Sequence, residues 1–265
     1  SSCSGMRFST EERPLYTGHT VVFTEMPAYD AGGAKLELEE LVKPVANNSI
    51  LGLRPSVALY NTIKEPKKKK GMRHWLKYKL GAEPVYLDKL PLNDINGAMV
   101  NRMVNRGYFQ ARSTYAVVQK GRKASVVFTV DPGQVTIITA VRMGAAQANG
   151  LDSAMAHELV NCPIQPGEPY DLARLTAERD RVAERLRDRG WYRIRADDLV
   201  WAADTSVGDH KVVVHLRVKQ TTTAIKRQAH TIGSVTVHGD QDDVLPPRDT
   251  VLVDGINYVS YLDQY

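Results

Sequence analysis

The sequence has little cysteine: Cys3 and Cys162 are its two thiols, and no Cys-x-x-Cys pair occurs. Two residues so far apart exclude the disulfide framework of a small secreted domain and match no zinc-ligand spacing. Cys162 lies in the apolar stretch LVNCPI, which favours a small buried thiol. Cys3 follows two small residues in SSCSG, as at the cleavage site of a lipoprotein signal, although no apolar region precedes it. An acylated membrane anchor and an unmodified terminal cysteine are both compatible with this pattern.

Long apolar runs are also missing. No stretch of about 18 apolar residues occurs, so the sequence predicts no membrane-spanning helix. Lys and Arg number 35 against 30 Asp and Glu, a mild excess that permits an anionic partner without requiring one. At 265 residues the chain is long enough for two or three modules, because compact cores rarely grow to this length.

The motifs of common enzyme classes are absent as well. The sequence has no G-x-S-x-G elbow, Walker loop, G-x-G-x-x-G turn or H-E-x-x-H helix. His210 and His215 have no acidic or cysteine ligand nearby, and DQDD at 240–243 lacks the glycine and distal glutamate of a calcium loop. We therefore predict no catalytic residue, no metal and no cofactor. Nucleic acid is not an expected partner, because the basic residues are not interleaved with a stacking surface.

One transition occurs twice: RGYF at 106–109 and RGWY at 189–192. Each follows a helical apolar stripe, carried by Ile95, Met99 and Met103 in the first case. Each precedes two runs rich in β-branched and aromatic residues around a polar turn, which is typical of a β-hairpin. The predicted hairpin strands are 113–119 with 123–130, and 198–203 with 211–219.

The segments before each long helix also correspond, with a short strand and a shorter helix in both places. The order strand, helix, helix, strand, strand therefore predicts an α+β fold of tandem domains, each a three-stranded sheet covered by two helices. The predicted layout is a tether at 1–18, a first domain at 19–132, a second at 133–220 and an incomplete third at 228–265.

The first domain contains an insertion at about 47–90 that includes the stretch MRHWLKYKLG. Met72, Trp75, Leu76 and Leu80 share one helical face there. Two interpretations remain open: a basic amphipathic helix on an anionic membrane surface, or a helix packed on its own domain beside a solvated lysine loop. The candidate basic surface consists of Lys67, Lys68, Lys69, Lys70, Arg73 and Lys77.

The element order, with a glycine closing the second helix and GYF leading into a strand, resembles POTRA domains, the periplasmic repeats of the BamA and TamA outer-membrane assembly proteins. SSCSG, LGLRPSVALYN, KKGMRHWLKYKLGAEPV, PGEPYDLARLTAERDRV and LVWAADTSVGDHKV resemble more closely the lipoprotein branch called TamL. This similarity covers nearly the whole sequence.

The resemblance implies that Cys3 is the acylated first residue of the mature protein and that a carboxy-terminal outer-membrane β-barrel lies beyond this sequence. It also implies a location at the periplasmic face of the outer membrane. The implied partners are outer-membrane protein clients and an inner-membrane-anchored protein of the TamB type. A thiol at Cys162 is not expected in such a domain.

A binding mechanism follows from the open sheets, because edge strands offer unpaired N–H and C=O groups to an extended segment of another protein. The alternative function is a lipid-anchored structural adaptor whose basic insertion binds anionic head groups. The candidate strand-binding residues are Ser113, Tyr115 and Val117 in the first domain, and Asp198, Leu199 and Val200 in the second.

Overall fold

The computed structural model describes residues 9–49, 54–63, 71–144, 150–238 and 249–260. The candidate lipidation residue Cys3, the lysine run Lys67–Lys70 and the DQDD turn lie outside the described residues. In the parts of the chain that are described, no helix has the length and apolar character needed to cross a bilayer.

The first repeat has the predicted order of strand, helix, helix, strand and strand, with the insertion between the two helices. Its elements are β1 (Leu15–Phe23), α1 (Ala31–Glu40), α2 (Pro55–Thr62), α3 (Met72–Trp75) with a following π-helix (Leu76–Leu80), a 3-10 turn (Leu87–Lys89), α4 (Leu92–Asn105), β2 (Arg112–Lys120) and β3 (Lys123–Asp131). β1 starts five residues earlier than the predicted strand at Thr20, because the apolar Leu15 and Tyr16 are buried in the same domain.

The first sheet has the strand order β1-β3-β2. β1 runs parallel to β3, with Phe23 opposite Val130, and β2 runs antiparallel to β3, with Ser113 opposite Val130. β3 is therefore central, and its alternate residues Ala124, Val126, Phe128 and Val130 are buried. This alternation fixes the register, since a slip of one residue would turn every apolar side chain to the opposite face.

The helices cover that face as the periodicity predicts. Ile95, Met99 and Met103 of α4 pack in one core with Ala34 and Leu38 of α1. Deleting a buried side chain of this size costs about 2–5 kcal/mol, so the stripe holds the helix pair on the sheet.

Arg106 joins the ends of the two helices of the first repeat. Its guanidinium donates to Asp30 Oδ2 at 2.7 Å and to Glu37 Oε1 at 2.9 Å. The hydrogen bond from Arg106 lowers the pKa of Asp30, whose carboxylate also accepts from Gly33 N–H at the start of α1. The end of α4 is thereby tied to the beginning of α1.

The second repeat has the same order, and the fold class predicted from the sequence is confirmed. Its elements are β4 (Ile137–Met143), α5 (Gly150–Val160), α6 (Leu172–Asp188), a 3-10 turn (Ala196–Asp198), β5 (Leu199–Asp204) and β6 (Lys211–Val218). The strand order is β4-β6-β5, which repeats the order of the first sheet. Asp171 caps α6 as predicted, because its carboxylate accepts from Ala173 N–H at 2.8 Å and from Arg174 N–H at 3.2 Å.

A third sheet follows. It consists of β7 (Val235–His238), β8 (Asp249–Val253) and β9 (Ile256–Ser260), in the order β7-β9-β8. β7 is parallel to β9 and β8 is antiparallel to it, so the directions match those of the first sheet. The sequence predicted one strand here, starting at Thr231, and the structure adds the hairpin of β8 and β9.

Backbone contacts divide the chain into two compact units. One comprises Ser1–Arg142, Pro163–Ala177 and Ala203–His215, and the other comprises Met143–Cys162, Glu178–Ala202 and Leu216–Tyr265. The core around Met99 lies within the first, and a second core around Met155 and Leu186 lies within the second. The domain limits predicted from the sequence remain a prediction.

The repeated RGYF and RGWY segments make the same kind of turn. Gly107 follows α4 with φ +89° and Gly190 follows α6 with φ +99°. The carbonyl of Gly107 accepts from Thr136 N–H and that of Gly190 accepts from His230 N–H, both at 2.8 Å. A Cβ atom would lie 2.5 Å from a backbone oxygen at Gly107 and 2.6 Å from one at Gly190, so glycine is required at both.

The two aromatics after each glycine also have matching places. Tyr108 belongs to the first core and Trp191 packs against the second. The next residue contacts a ring from later in the chain: Phe109 meets Tyr170 with centroids 5.0 Å apart, and Tyr192 meets His230 at 4.7 Å. The same structural motif therefore occurs twice. The first aromatic packs in the core next to the turn, and the second contacts a ring from a later segment.

Candidate strand-binding edge

β2 lies at the border of the first sheet and pairs with β3 on one side; no strand within the described ranges pairs with its other side. On β3, the carbonyl of Val130 accepts from Thr24 N–H at 3.0 Å, so Val130 directs its backbone groups toward β1. The β2 residues that pair with Val130, Phe128 and Val126 must then direct their own N–H and C=O groups away from β3. Those residues are Ser113, Tyr115 and Val117, the three predicted from the sequence.

The side chains of these three residues differ in how firmly they are held. Tyr115 is half-buried against the first core, with its ring 6.0 Å from that of Phe128, and its hydroxyl donates to Asn93 Oδ1 at 2.8 Å. Val117 is 41% exposed. The edge is thus anchored at Tyr115 and open at Val117.

Asn96 was not singled out from the sequence, yet it determines where the open edge begins. Its Nδ2 donates to the carbonyl of Ser113 at 2.9 Å, so this outward-facing acceptor is already occupied. Asn96 Oδ1 and Ser113 Oγ are buried without a hydrogen-bond partner among the described residues. Two asparagines three residues apart on α4, Asn93 and Asn96, were the available signal, since that spacing places both on the side of the helix that faces β2.

A shallow cleft of about 390 Å³ lies beside this edge, where the start of α4 approaches Tyr115. It could receive a side chain of a segment added to β2. Its lining residues are Leu90, Pro91, Leu92, Asn93, Asp94 and Tyr115.

The second predicted edge is less open. β5 begins at Leu199, not at Asp198, and Leu199 is fully buried in the second core. Asp198 is 8% exposed, in the 3-10 turn, and its carboxylate accepts from Lys226 Nζ at 2.7 Å and Arg195 N–H at 2.9 Å. Burial raises the pKa of Asp198, but the hydrogen bonds from Lys226, Arg195 N–H and Thr222, together with the charge of Lys226, leave the pKa below its usual value. Of the three predicted residues, Val200 alone is a partly exposed strand residue.

The predicted basic surface is divided by the structure. Arg73 is exposed, as expected. Lys77 is buried, which corrects its place in the predicted basic surface. Its ammonium lies 4.8 Å from the centroid of the Tyr60 ring, an attractive cation–π distance. The helical face of Met72, Trp75 and Leu80 points outward instead.

No protein-family model matches the chain, and a search of curated proteins finds no relative. Among solved structures, the chain is similar to POTRA3-5 of Haemophilus influenzae BamA, with 14% identity over 78% of this chain and 61% of that one and a TM-score of 0.37. POTRA1-3 of the periplasmic domain of Omp85 from Anabaena has 14% identity, coverage of 96% and 98%, and a TM-score of 0.34. CdiB from Escherichia coli has 14% identity, coverage of 78% and 27%, and a TM-score of 0.28.

These likenesses are too distant to carry an argument about function, and the fold assignment rests on the strand order and register described above. The chain also spans 61% of the length of the Haemophilus influenzae structure and 22% of Haemophilus ducreyi BamA lacking POTRA domains 1-3.

Proposed function

We propose that this chain is a periplasmic docking module of an outer-membrane protein assembly or secretion machine, and that it captures extended client segments on β2. The observation that carries the proposal is the pair of outward-facing backbone positions at Tyr115 and Val117, on a strand with a single strand neighbour among the described residues. Such an edge adds a strand through main-chain hydrogen bonds, which any client sequence can make.

The expected binding is weak and reversible. Two outward-facing residues provide four backbone groups, each worth about 0.5–1.5 kcal/mol net, and the association cost must be subtracted from their sum. These main-chain bonds sum to about 2–6 kcal/mol before that cost, so alone they support an affinity no tighter than the millimolar range, at about −4 kcal/mol. A module that hands clients onward benefits from this, because release is fast when affinity is low.

The finer assignment is to a TamL-like lipoprotein anchored through Cys3, with outer-membrane protein clients and a TamB-like partner as candidates for the same edge. The support is the sequence resemblance together with the repeated β-α-α-β-β order. We do not extend the binding edge to Asp198 and Leu199, because their side chains are committed to an ion pair and to the core.

The test uses a synthetic ten-residue peptide with the alternating sequence of an outer-membrane barrel strand, titrated into the ¹⁵N-labelled chain. We expect its binding to slow amide exchange at Tyr115 and Val117. Val117→Pro removes one outward N–H and no bond to β3, so it should abolish binding without unfolding the sheet. Val117→Ala is the matched control, because it shortens the side chain and retains the N–H. Equal binding by the proline and alanine variants would contradict the proposal.

Asn96→Ala gives an independent test with the opposite sign. It releases the carbonyl of Ser113, which becomes one more outward acceptor at the edge. An added hydrogen bond of about 0.5–1.5 kcal/mol should tighten peptide binding by about two- to tenfold. Unchanged or weaker binding, with the fold intact by circular dichroism, would show that the peptide does not use this edge.

A further inference from the structure

The segment Met72–Leu80 exposes apolar side chains and buries a cation, which is the reverse of an ordinary surface helix. Such a helix buries its apolar stripe and exposes its charges. Here the cation Lys77 is 7% exposed, whereas Met72 is 77%, Trp75 51% and Leu80 50% exposed. The arrangement leaves a face of three large apolar side chains in water.

Specific contacts hold the segment in this orientation. The rings of Tyr60 on α2 and Tyr78 meet edge to face at 6.0 Å, and the Lys77 ammonium lies over the Tyr60 ring. The backbone closes the connection, since Ala82 N–H donates to the carbonyl of Ser56 at 3.0 Å. The inner side is therefore fixed against α2 by cation–π and ring contacts, and the apolar side is left to face outward.

The charged residues of this segment are of one sign. Arg73 and Lys79 are exposed on the same segment. The sequence between Glu65 and Glu83 contains Lys and Arg but no Asp or Glu. An outward face with Trp, Met and Leu beside cations has the composition of interfacial membrane helices, in which the apolar side chains enter the head-group boundary and the cations meet anionic lipids. A protein partner of this chain would have to supply both an apolar pocket and a strongly acidic rim.

We propose that the outer face of Met72–Leu80, defined by Met72, Trp75 and Leu80 with Arg73 and Lys79, docks on an anionic lipid bilayer. The segment lies in the plane of the interface and inserts its apolar side chains to the depth of the head groups. This contact is independent of strand capture on β2, so either can fail without the other.

The experiment measures partitioning of the full chain, in a Cys3→Ser background so that no acyl chain contributes. The vesicles are phosphatidylcholine with about one third phosphatidylglycerol, whose negative surface potential attracts cations. Because Trp191 and Trp201 also emit, the Trp75 signal is taken as the difference between the wild-type chain and Trp75→Phe. It is read with bromine-labelled lipids, which quench a ring at head-group depth. The paired change Met72→Ser/Trp75→Ser should weaken partitioning by at least about tenfold. Arg73→Gln/Lys79→Gln should weaken it by about twenty-five-fold, a difference that high salt abolishes, because each cation near the surface contributes about fivefold.

The matched control is Val160→Ser/Ile232→Ser, which removes two exposed apolar side chains elsewhere in the chain and should leave partitioning unchanged. Far-ultraviolet circular dichroism and the urea unfolding midpoint confirm that each variant is folded. The proposal is overturned if the wild-type chain does not partition, if the control pair weakens binding as much as the Met72/Trp75 pair, or if bromolipids leave Trp75 unquenched. It is also overturned if sedimentation shows that this face joins two copies of the chain in place of lipid.

Discussion

Replacing Gly107 or Gly190 by alanine tests whether the two RG-aromatic turns require glycine for the same structural reason. At Gly107 the new Cβ would approach the carbonyl oxygen of Tyr170 to 2.5 Å, and at Gly190 it would approach that of His230 to 2.6 Å. Both obstacles are backbone atoms, so no side-chain rotation can remove the contact. The chain must separate there, and the hydrogen bond to the glycine carbonyl is lost with it.

The expected loss of folding free energy in each alanine variant has two parts. A non-glycine residue at φ +89° or +99° costs about 1–2 kcal/mol. Loss of the hydrogen bond from Thr136 N–H or His230 N–H adds about 1–2 kcal/mol. The sum is about 3 kcal/mol. Gly121→Ala supplies the control, because Gly121 also has positive φ but a Cβ there meets nothing within 4 Å. Its cost should be about 1 kcal/mol.

Hydrogen exchange measures the effect locally, which is preferable because a chain with two compact units need not unfold in one step. The difference of about 2 kcal/mol between Gly107→Ala and Gly121→Ala corresponds to about a thirtyfold faster exchange of the Thr136 amide. Gly190→Ala should accelerate the His230 amide to a similar extent. If both alanine variants behaved like Gly121→Ala, close backbone approach would not be the reason for glycine. If only one of them did, the structural equivalence of the two turns would be refuted.

Three further predictions concern stability. Gly97→Ala should stabilise the chain by about 1 kcal/mol in urea denaturation, because Gly97 lies inside α4 with nothing near its missing Cβ; a destabilised variant would mean that α4 packs more closely there. Burial lowers the pKa of His19 despite Glu39, so the folded state favours the neutral ring and stability should be lost as pH falls from about 6.5 through the lower folded pKa; the urea midpoint of His19→Gln should lack this loss. Lys226→Met leaves the carboxylate of Asp198 buried without its cation and should cost about 1–3 kcal/mol at pH 7. That difference should vanish as pH falls below about 4, through the lowered pKa of Asp198, and a difference that persisted in acid would assign the effect to packing.

The fold was predictable because its signals are local. The stripe of Ile95, Met99 and Met103 and the alternation of β3 each follow from one element's periodicity, and duplication of the RG-aromatic turn revealed the repeat. The orientation of the insertion was harder to predict. Periodicity predicted a shared face of Met72, Trp75, Leu76 and Leu80 but not which way it points, and Leu76 is half-buried. The direction depends on the contact of Lys77 with Tyr60, which is distant in sequence.

In the candidate site, too, local patterns predict some features and tertiary contacts decide the others. Period-two alternation groups Ser113, Tyr115 and Val117 on one parity of β2. That this parity turns its backbone groups outward follows from the hydrogen bond of Val130 with Thr24, and the role of the three residues in strand binding remains a prediction. Asn96 was missed because its hydrogen bond to the Ser113 carbonyl joins a helix to a strand, and no local pattern reports it. The predicted strand began at Asp198, one residue before β5 begins. Asp198 instead forms a buried ion pair with Lys226, a tertiary contact that the sequence does not display.

Under the proposed function, the capacity to bind a strand is therefore encoded in residues that no client would touch. Val126, Phe128 and Val130 fix the register of β3 by their burial, and the register decides that Tyr115 and Val117 turn their backbone groups outward. Substituting the exposed Val117 with any residue that keeps its N–H changes little, whereas a slip of one residue in the buried strand would direct those groups into the sheet. A binding edge of this kind tolerates wide variation in its own side chains, and the residues on which it depends are those of the core.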